Sequence, residues 1–487
     1  MEDIPEFIEK LQRTSIQIDT TSPTKEELLS VINKLKDGKS ANDIPIEYIK
    51  HSLGSEEFVN EITKLYETIW TTKAIPKEWG HSKLVTLWKG PAKGKADDPK
   101  TYRGLQIGSS LCKIMVTIII NRLKDWYERQ LLDQQQGFRS ARGTTDGIFI
   151  AKSVQQITAK MKKSTPVLFV DLSAAFDHVE RNWLFKTIEK RFPNGSGNEL
   201  VQILKAIYSY TTTSLAENPD DSFELTVGVR QGGPESPMLY NLFMDFVMRI
   251  YLEECNNKGI TFLKLKYNIP ASASYTGKNA IGNFSLDWCG YADDLLLVFD
   301  NEDSLRKGAN LLDEIFKRYR LCINISKTKT MILNQQYEGR EYPSTISSLR
   351  GNDLENVKSY GYLGCEVKYD EPNTGETELN LRSDAAECKF YSLARNFMNM
   401  KIRLRTRITM LNSLVRNTLV YSCQTWSTTM AQLNRMNAQY MSFIRKMTKG
   451  GYKRKDNSWH FVFTNMNLLE MAKTTDLTSY IRRQQRN

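Results

Sequence analysis

Long apolar runs are missing from this 487-residue chain. None approaches the ~18–20 residues that a membrane-spanning helix needs, so no membrane partner is expected. The opening MEDIPEFIEK is acidic and polar and does not read as a secretory leader. The expected location is therefore intracellular, in cytoplasm and nucleus, rather than secreted. Cysteines are few and scattered: Cys112, Cys255, Cys289, Cys322, Cys365, Cys388 and Cys423, with no Cys-x-x-Cys pair. That spacing excludes a zinc ribbon and offers no disulfide framework, and free thiols in a reducing compartment fit it. Internal repeats and low-complexity tracts are also lacking, which excludes solenoids.

Apolar residues make up 40% of the chain and charged residues 25%, the balance of a soluble globular protein of two to four domains. The net charge is +11, and its placement says more than its size. Leu381 to Asn487 holds 19 Lys and Arg against 5 Asp and Glu, so the remainder is slightly acidic. A basic C-terminal stretch on a near-neutral body points to a polyanion, most simply nucleic acid. Thr24 and Glu27 fit a capping box ahead of Leu28, Leu29, Ile32 and Leu35 at helical spacing. Lys36–Asp43 reads as a loop, Phe58–Trp70 as a helix, Leu84–Trp88 as a strand and Lys89–Lys100 as a basic loop. Leu111, Met115, Ile118, Ile119, Leu123 and Trp126 form one helical face, read as core. Further strands are expected at Pro166–Val170, Trp288–Phe299 (a hairpin), Leu321–Ile325 and Met331–Leu333. After Asn380 helices take over, as at Ile408–Val420. The fold class is α+β.

Two places concentrate carboxylates in apolar surroundings. Val167–Val170 is a strand that delivers Asp171 to its end, with Phe176 and Asp177 following. Tyr291-Ala292-Asp293-Asp294 lies between Trp288 and Leu295–Phe299. Adjacent carboxylates in so apolar a run raise each other's pKa, and a bound cation removes that penalty. Hard cations such as Mg2+ take carboxylate and phosphate oxygens, and two of them can activate a hydroxyl and stabilise a leaving group. Side chains alternate along a hairpin. Asp293 is read as the ligand facing Asp171, and Asp294 as the more peripheral one.

Other blocks stand around these in a fixed order: Ser82–Trp88 with Tyr102-Arg103, Gln136-Gly137-Phe138-Arg139 with Gly143-Thr144-Thr145-Asp146, then Phe169–Asp177. Arg230-Gln231-Gly232-Gly233-Pro234-Glu235-Ser236-Pro237, Tyr291–Asp294, Asn324–Thr330, Tyr362-Leu363-Gly364 and Tyr421–Trp426 follow. Over about residues 25–450 this series resembles reverse transcriptases of non-LTR (LINE-type, RTE-like) retrotransposons. The resemblance implies a right hand: an extension 1–24, fingers 25–165, palm 166–378, thumb and helical connection 379–450, and a basic segment 451–487. It implies an RNA-directed DNA polymerase, a nucleotidyltransferase that extends a primer 3′-hydroxyl with dNTPs. Two Mg2+ ions, replaceable by Mn2+, would be held by Asp171, Asp293 and Asp294. Phe176 takes the place of the steric gate against a 2′-hydroxyl. Gln231 and Gly232 would lie near nucleotide and template, and Arg103 and Arg139 at the triphosphate. Lys327 would protonate the leaving pyrophosphate, with Lys329 as its neighbour.

His178 reads as a polar loop residue. Tyr421 and Trp426 read as packed core rather than base-stacking groups. Lys401, Arg403, Arg405 and Arg407 could track a phosphate backbone. Gly233 and Glu235 depart from the usual Gln-Gly-(Asp/Cys)-Pro-Leu-Ser-Pro, and Gly104 from Tyr-Arg-Pro. Implied partners are an RNA template, a DNA primer or target, and a separate endonuclease, since none precedes the polymerase blocks. The alternatives are a viral-type RNA-dependent RNA polymerase, and an inactive domesticated or truncated element acting as an RNA-binding protein. The 255–285 segment has no assigned role.

Overall fold

The computed structural model describes residues 17–39, 41–91, 94–192, 197–215, 218–269, 280–335, 339, 341–370, 376–448, 452–455, 458–461 and 463–486. These fall into two compact units, each assembled from three stretches of chain. One takes its residues from Met1–Ala141, Val170–Thr261 and Arg306–Lys327, the other from Arg142–Phe169, Phe262–Leu305 and Thr328–Asn487. Among the described residues no helix is long and apolar enough to cross a membrane.

The first unit is mostly helical. Its central helix, Ser236–Asn257, buries positions on every side, including Met238, Tyr240, Phe243, Phe246, Val247 and Tyr251. A helix apolar all round belongs inside a core, not on a surface. Helix Ser110–Gln130 carries the predicted stripe, with Met115, Ile118, Ile119, Leu123 and Trp126 buried. Ser109 caps it, accepting from the Cys112 N–H at 3.1 Å. Only half of the Thr24 capping box forms. Thr24 accepts the Glu27 N–H at 3.2 Å, but the Glu27 carboxylate turns to Arg122 Nε at 3.0 Å, a charged partner stronger than an amide. A sheet completes the unit: strand His81–Trp88 pairs antiparallel with Tyr102–Ile107 and parallel with Thr212–Leu215, which pairs with Asn218–Glu224. The predicted strand Leu321–Ile325 is reduced to one bridge, Leu172 to Ile323. Asn324 already opens a turn there, its carbonyl accepting the Lys327 N–H at 3.2 Å.

The second unit is built on a four-stranded sheet in the order Lys329–Leu333, Thr165–Val170, Asp294–Val298, Trp288–Tyr291. All six residues of Thr165–Val170 are buried, as the unbroken apolar run requires. Val167 and Phe169 pack with Ala151 and Val154 of helix Thr144–Lys160 and with Leu296, Val298, Met331 and Leu333. The Phe169 ring stacks on Tyr360 at 4.2 Å. The 255–285 segment contributes an antiparallel hairpin, Leu263–Ile269 with Ala280–Leu286, whose Leu263 and Leu265 enter the same core. Residues 270–279 of that segment lie outside the described residues, as do residues 1–16. A second core runs from Leu379 to Ile481 and joins helices Glu376–Ser392, Met430–Thr448, Asn465–Ala472 and Leu477–Arg486. The predicted Ile408–Val420 helix passes through a π-helical turn, Leu411–Arg416.

Candidate active site

The chain leaves its buried strand at Val170 and turns at Asp171. Backbone bonds fix that turn: Asn324 N–H donates to Asp171 O and Ser173 N–H to Cys322 O, both at 2.9 Å. The 324–327 turn thereby brings Lys327 Nζ to 3.3 Å from Asp171 Oδ2. Lys329, two residues on, is committed elsewhere, to Glu355 at 2.8 Å.

Tyr291 and Asp294 are paired across a two-residue turn of Ala292 and Asp293. Ala292 has φ 58, a left-handed conformation that costs an alanine about 1 kcal/mol and is typical of over-determined functional turns. Strand Asp294–Val298 neighbours strand Thr165–Val170, and the Phe299 N–H donates to Pro166 O at 3.0 Å. Among the described residues no three His, Cys, Asp or Glu side chains form a group able to hold a metal unaided. Mg2+ commonly takes only one or two carboxylates and completes its shell with phosphate and water oxygens, so an aspartate donor set suits it. The Lys327 ammonium at Asp171 marks that carboxylate as a place that draws positive charge.

Phe176 lies face to face on Tyr240, ring centroids 4.7 Å apart and planes 9° apart. Phe138 meets it edge-on at 6.0 Å. Gln231 donates its side-chain amide to both Asp177 carboxylate oxygens at 3.3 and 3.4 Å. Its carbonyl accepts the Gln106 N–H at 2.7 Å. Gly232 has φ 117, and a Cβ there would stand 2.7 Å from the Gln106 carbonyl, so only glycine serves. The two unusual residues of this block explain each other. Glu235 is buried and accepts from Tyr208 at 2.9 Å and from Arg230 at 3.0 Å. A Cβ on Gly233 would stand 2.6 Å from the Glu235 carboxylate. A cavity of about 320 Å³ opens beside them, lined in part by Gln106, Ser109, Lys113, Gly232 and Glu235.

Residues 91–367, more than half of the chain, match the family described as Reverse transcriptase (RNA-dependent DNA polymerase). The chain belongs to the reverse transcriptase family. It is 27% identical over 256 residues to the probable RNA-directed DNA polymerase from transposon BS of Drosophila melanogaster, covering 47% of this chain and 28% of that protein. It is 23% identical over 333 residues to the Pol polyprotein from type-1 retrotransposable element R2 of Nasonia vitripennis, covering 66% and 29%. A 115 kDa protein in retrotransposable element R1DM of Drosophila melanogaster is 25% identical over 305 residues, covering 60% and 25%. The match thus spans under a third of each of these relatives. They set this chain among the reverse transcriptases of LINE-type elements, an α+β family whose members generally use divalent metal ions.

Two arginine assignments change in this reverse transcriptase. Arg139, expected at the triphosphate, is buried in a structural clamp. Its Nε donates to Glu128 Oε2 at 3.0 Å, and its terminal nitrogens donate to the Leu132 and Glu128 carbonyls, both at 2.8 Å. With most of its donors engaged and its side chain only 4% exposed, this guanidinium is turned inward, away from a phosphate in solvent. Burial would raise the Glu128 pKa, but the Ser140 N–H and Arg139 outweigh it and hold the carboxylate below its usual range. Arg407 likewise leaves the proposed phosphate track: it is buried and donates to the Ile402, Phe397 and Met447 carbonyls. Lys401, Arg403 and Arg405 are exposed. Arg103 is exposed on its strand opposite Leu87, open to a ligand. His178 sits in the loop as read, its Nδ1 at 2.9 Å from the Ser173 carbonyl. Trp426 is core, and the Tyr421 hydroxyl donates to the Leu363 carbonyl at 2.9 Å. Sequence reasoning missed the buried Arg230–Glu235–Tyr208 cluster and the role of Asn241, whose amide donates to Tyr127 Oη at 2.7 Å and Gly137 O at 2.8 Å. The departure of Glu235 from the usual pattern was the available signal for the first.

Proposed function

We propose that this chain extends a primer 3′-hydroxyl with deoxynucleotides on an RNA template, and that Asp171, Asp293 and Asp294 carry the reaction. The observation behind this reading is the strand order. Thr165–Val170 and Asp294–Val298 are neighbours, and the Phe299–Pro166 bond joins the start of the first to the end of the second. Two strands so joined overlap only if they run antiparallel. The end of the first strand, which leads into Asp171, then lies at the same end of the sheet as Asp294.

Divalent cations held by these carboxylates would supply charge neutralisation and a more acidic primer hydroxyl. The rest falls to the chain's own side chains. Arg103 holds the triphosphate. Gln231, anchored through Asp177, and Gly232, with its backbone bare, border the nucleotide. Phe176, fixed against Tyr240, excludes a 2′-hydroxyl. Lys327, released from Asp171 once that carboxylate is otherwise neutralised, donates a proton to the departing pyrophosphate. Positioning and charge complementarity supply most of the acceleration. The template is RNA, the primer or target DNA, and the magnesium role one that manganese can take over.

The test is extension of oligo(dT) on poly(rA) with Mg2+ or Mn2+. The native chain extends the primer; Asp293→Asn, folded by circular dichroism, does not. Full extension by that variant sinks the assignment of Asp293.

A further inference from the structure

The sharpest backbone anomaly near the gate is Phe138. It has φ 58, and the residue is 46% exposed. A bulky aromatic in the left-handed region is a true outlier, and such strain persists only where the surroundings over-determine it. Here they do. Gly137 is held on one side by Asn241, which donates to its carbonyl at 2.8 Å, and on the other by Gln135 Oε1, which accepts its N–H at 2.9 Å. Arg139 is locked by Glu128 and two carbonyls. Glycine would adopt this backbone without strain, so a phenylalanine at this position is kept for its ring. That ring points at Phe176, meeting it edge-on at 6.0 Å and 81°. The opposite support is Tyr240, stacked on Phe176 and fully buried. Tyr240 and Asn241 are consecutive on the central helix Ser236–Asn257, so one helical turn fixes both the gate ring and the loop that carries Phe138.

We propose that Phe138 is a positioning residue for sugar selection: it closes the open side of Phe176 and stops that ring from swinging away to admit a ribonucleotide. Arg139, misread as a phosphate ligand, is the clamp that makes this posture hold. The proposal rests on the reading of Phe176 as the gate, and it assigns selectivity to a residue outside the strand-end block that carries the gate.

The experiment uses the full chain and measures kcat/KM for dATP and for ATP on poly(rU) primed with oligo(dA). Phe138→Gly removes the ring and keeps the backbone conformation. The dATP-over-ATP ratio falls about 2- to 10-fold, the range of one aromatic pair, and Phe138→Tyr restores it. Phe138→Leu, which keeps an apolar side chain of similar bulk, gives the same fall should the glycine variant fold poorly. Combined with Phe176→Val, Phe138→Gly adds no further loss, because it acts through the ring already removed. An unchanged ratio in both the glycine and leucine variants, with Phe176→Val still losing selectivity, overturns the role of Phe138 alone. Losses that multiply in the double variant overturn it too. An unchanged ratio in Phe176→Val removes the gate reading itself and this inference with it.

Discussion

Gly233→Ala is the substitution whose cost the structure sets most directly. The added methyl would stand 2.6 Å from Glu235 Oε1 and 2.7 Å from Oε2, well inside contact distance. A long side chain normally swings clear, but Glu235 is 1% exposed and held by Tyr208 at 2.9 Å and Arg230 at 3.0 Å. Either the methyl is accommodated by strain, at about 1–3 kcal/mol, or the carboxylate moves and leaves a buried guanidinium unpaired, at about 3–5 kcal/mol. The cheaper route sets the expectation, about 1–3 kcal/mol lost in guanidinium denaturation. The cost belongs to the pair, so it vanishes when the carboxylate is gone. In an Arg230→Met/Glu235→Ala background, where no buried charge is stranded and nothing stands where the carboxylate stood, Gly233→Ala is close to neutral. Equal costs in the two backgrounds refute the reasoning, because Gly233 and Glu235 would then be independent departures from the family pattern.

Arg139→Gln breaks a part-buried ion pair and two hydrogen bonds to carbonyls and destabilises the fold by about 1–3 kcal/mol, while the KM for dNTP in surviving enzyme stays near that of the native chain. A large KM rise with unchanged stability would return Arg139 to the triphosphate. The Glu128 carboxylate titrates below its ordinary value of 4.5 in the folded chain. Its stabilisation is therefore complete above that pH and is lost as pH falls through the lower folded value. Glu128→Gln should be less stable at pH 7 and lose less between pH 5 and 3, as read by denaturant midpoints. Replacing Lys401, Arg403 and Arg405 together with Gln should flatten the salt dependence of primer–template binding by up to about three charges, whereas Arg407→Gln should lower stability and leave that slope alone.

Much of the architecture was legible because it is written locally. The unbroken run Pro166–Val170, the stripe from Met115 to Trp126 and the alternation around the two aspartates each specify an element by burial and period alone. The order of the blocks carried the family assignment. What stayed hidden depends on neighbours remote in sequence. An arginine that grips phosphate and one that grips carbonyls look alike in a string, and only Glu128 and the Leu132 carbonyl decide for Arg139. The same holds for Arg407, whose alternating basic neighbours suggested a surface. Gly233 and Glu235 look like two separate oddities until the missing methyl of one is seen to accommodate the carboxylate of the other. Strand 321–325 failed because Asn324 turns the chain before a ladder can form.

The central sheet has a consequence for how the chain comes off the ribosome. Thr165–Val170 is made early, yet both strands that flank it, Asp294–Val298 and Lys329–Leu333, are made much later. Until the first of them is made, a segment apolar from Pro166 to Val170 waits with both of its edges unsatisfied, the condition that favours slow folding and association with other nascent chains. A product ending anywhere before Leu333 keeps that segment exposed, so synthesis arrested there should yield insoluble material rather than a smaller folded protein.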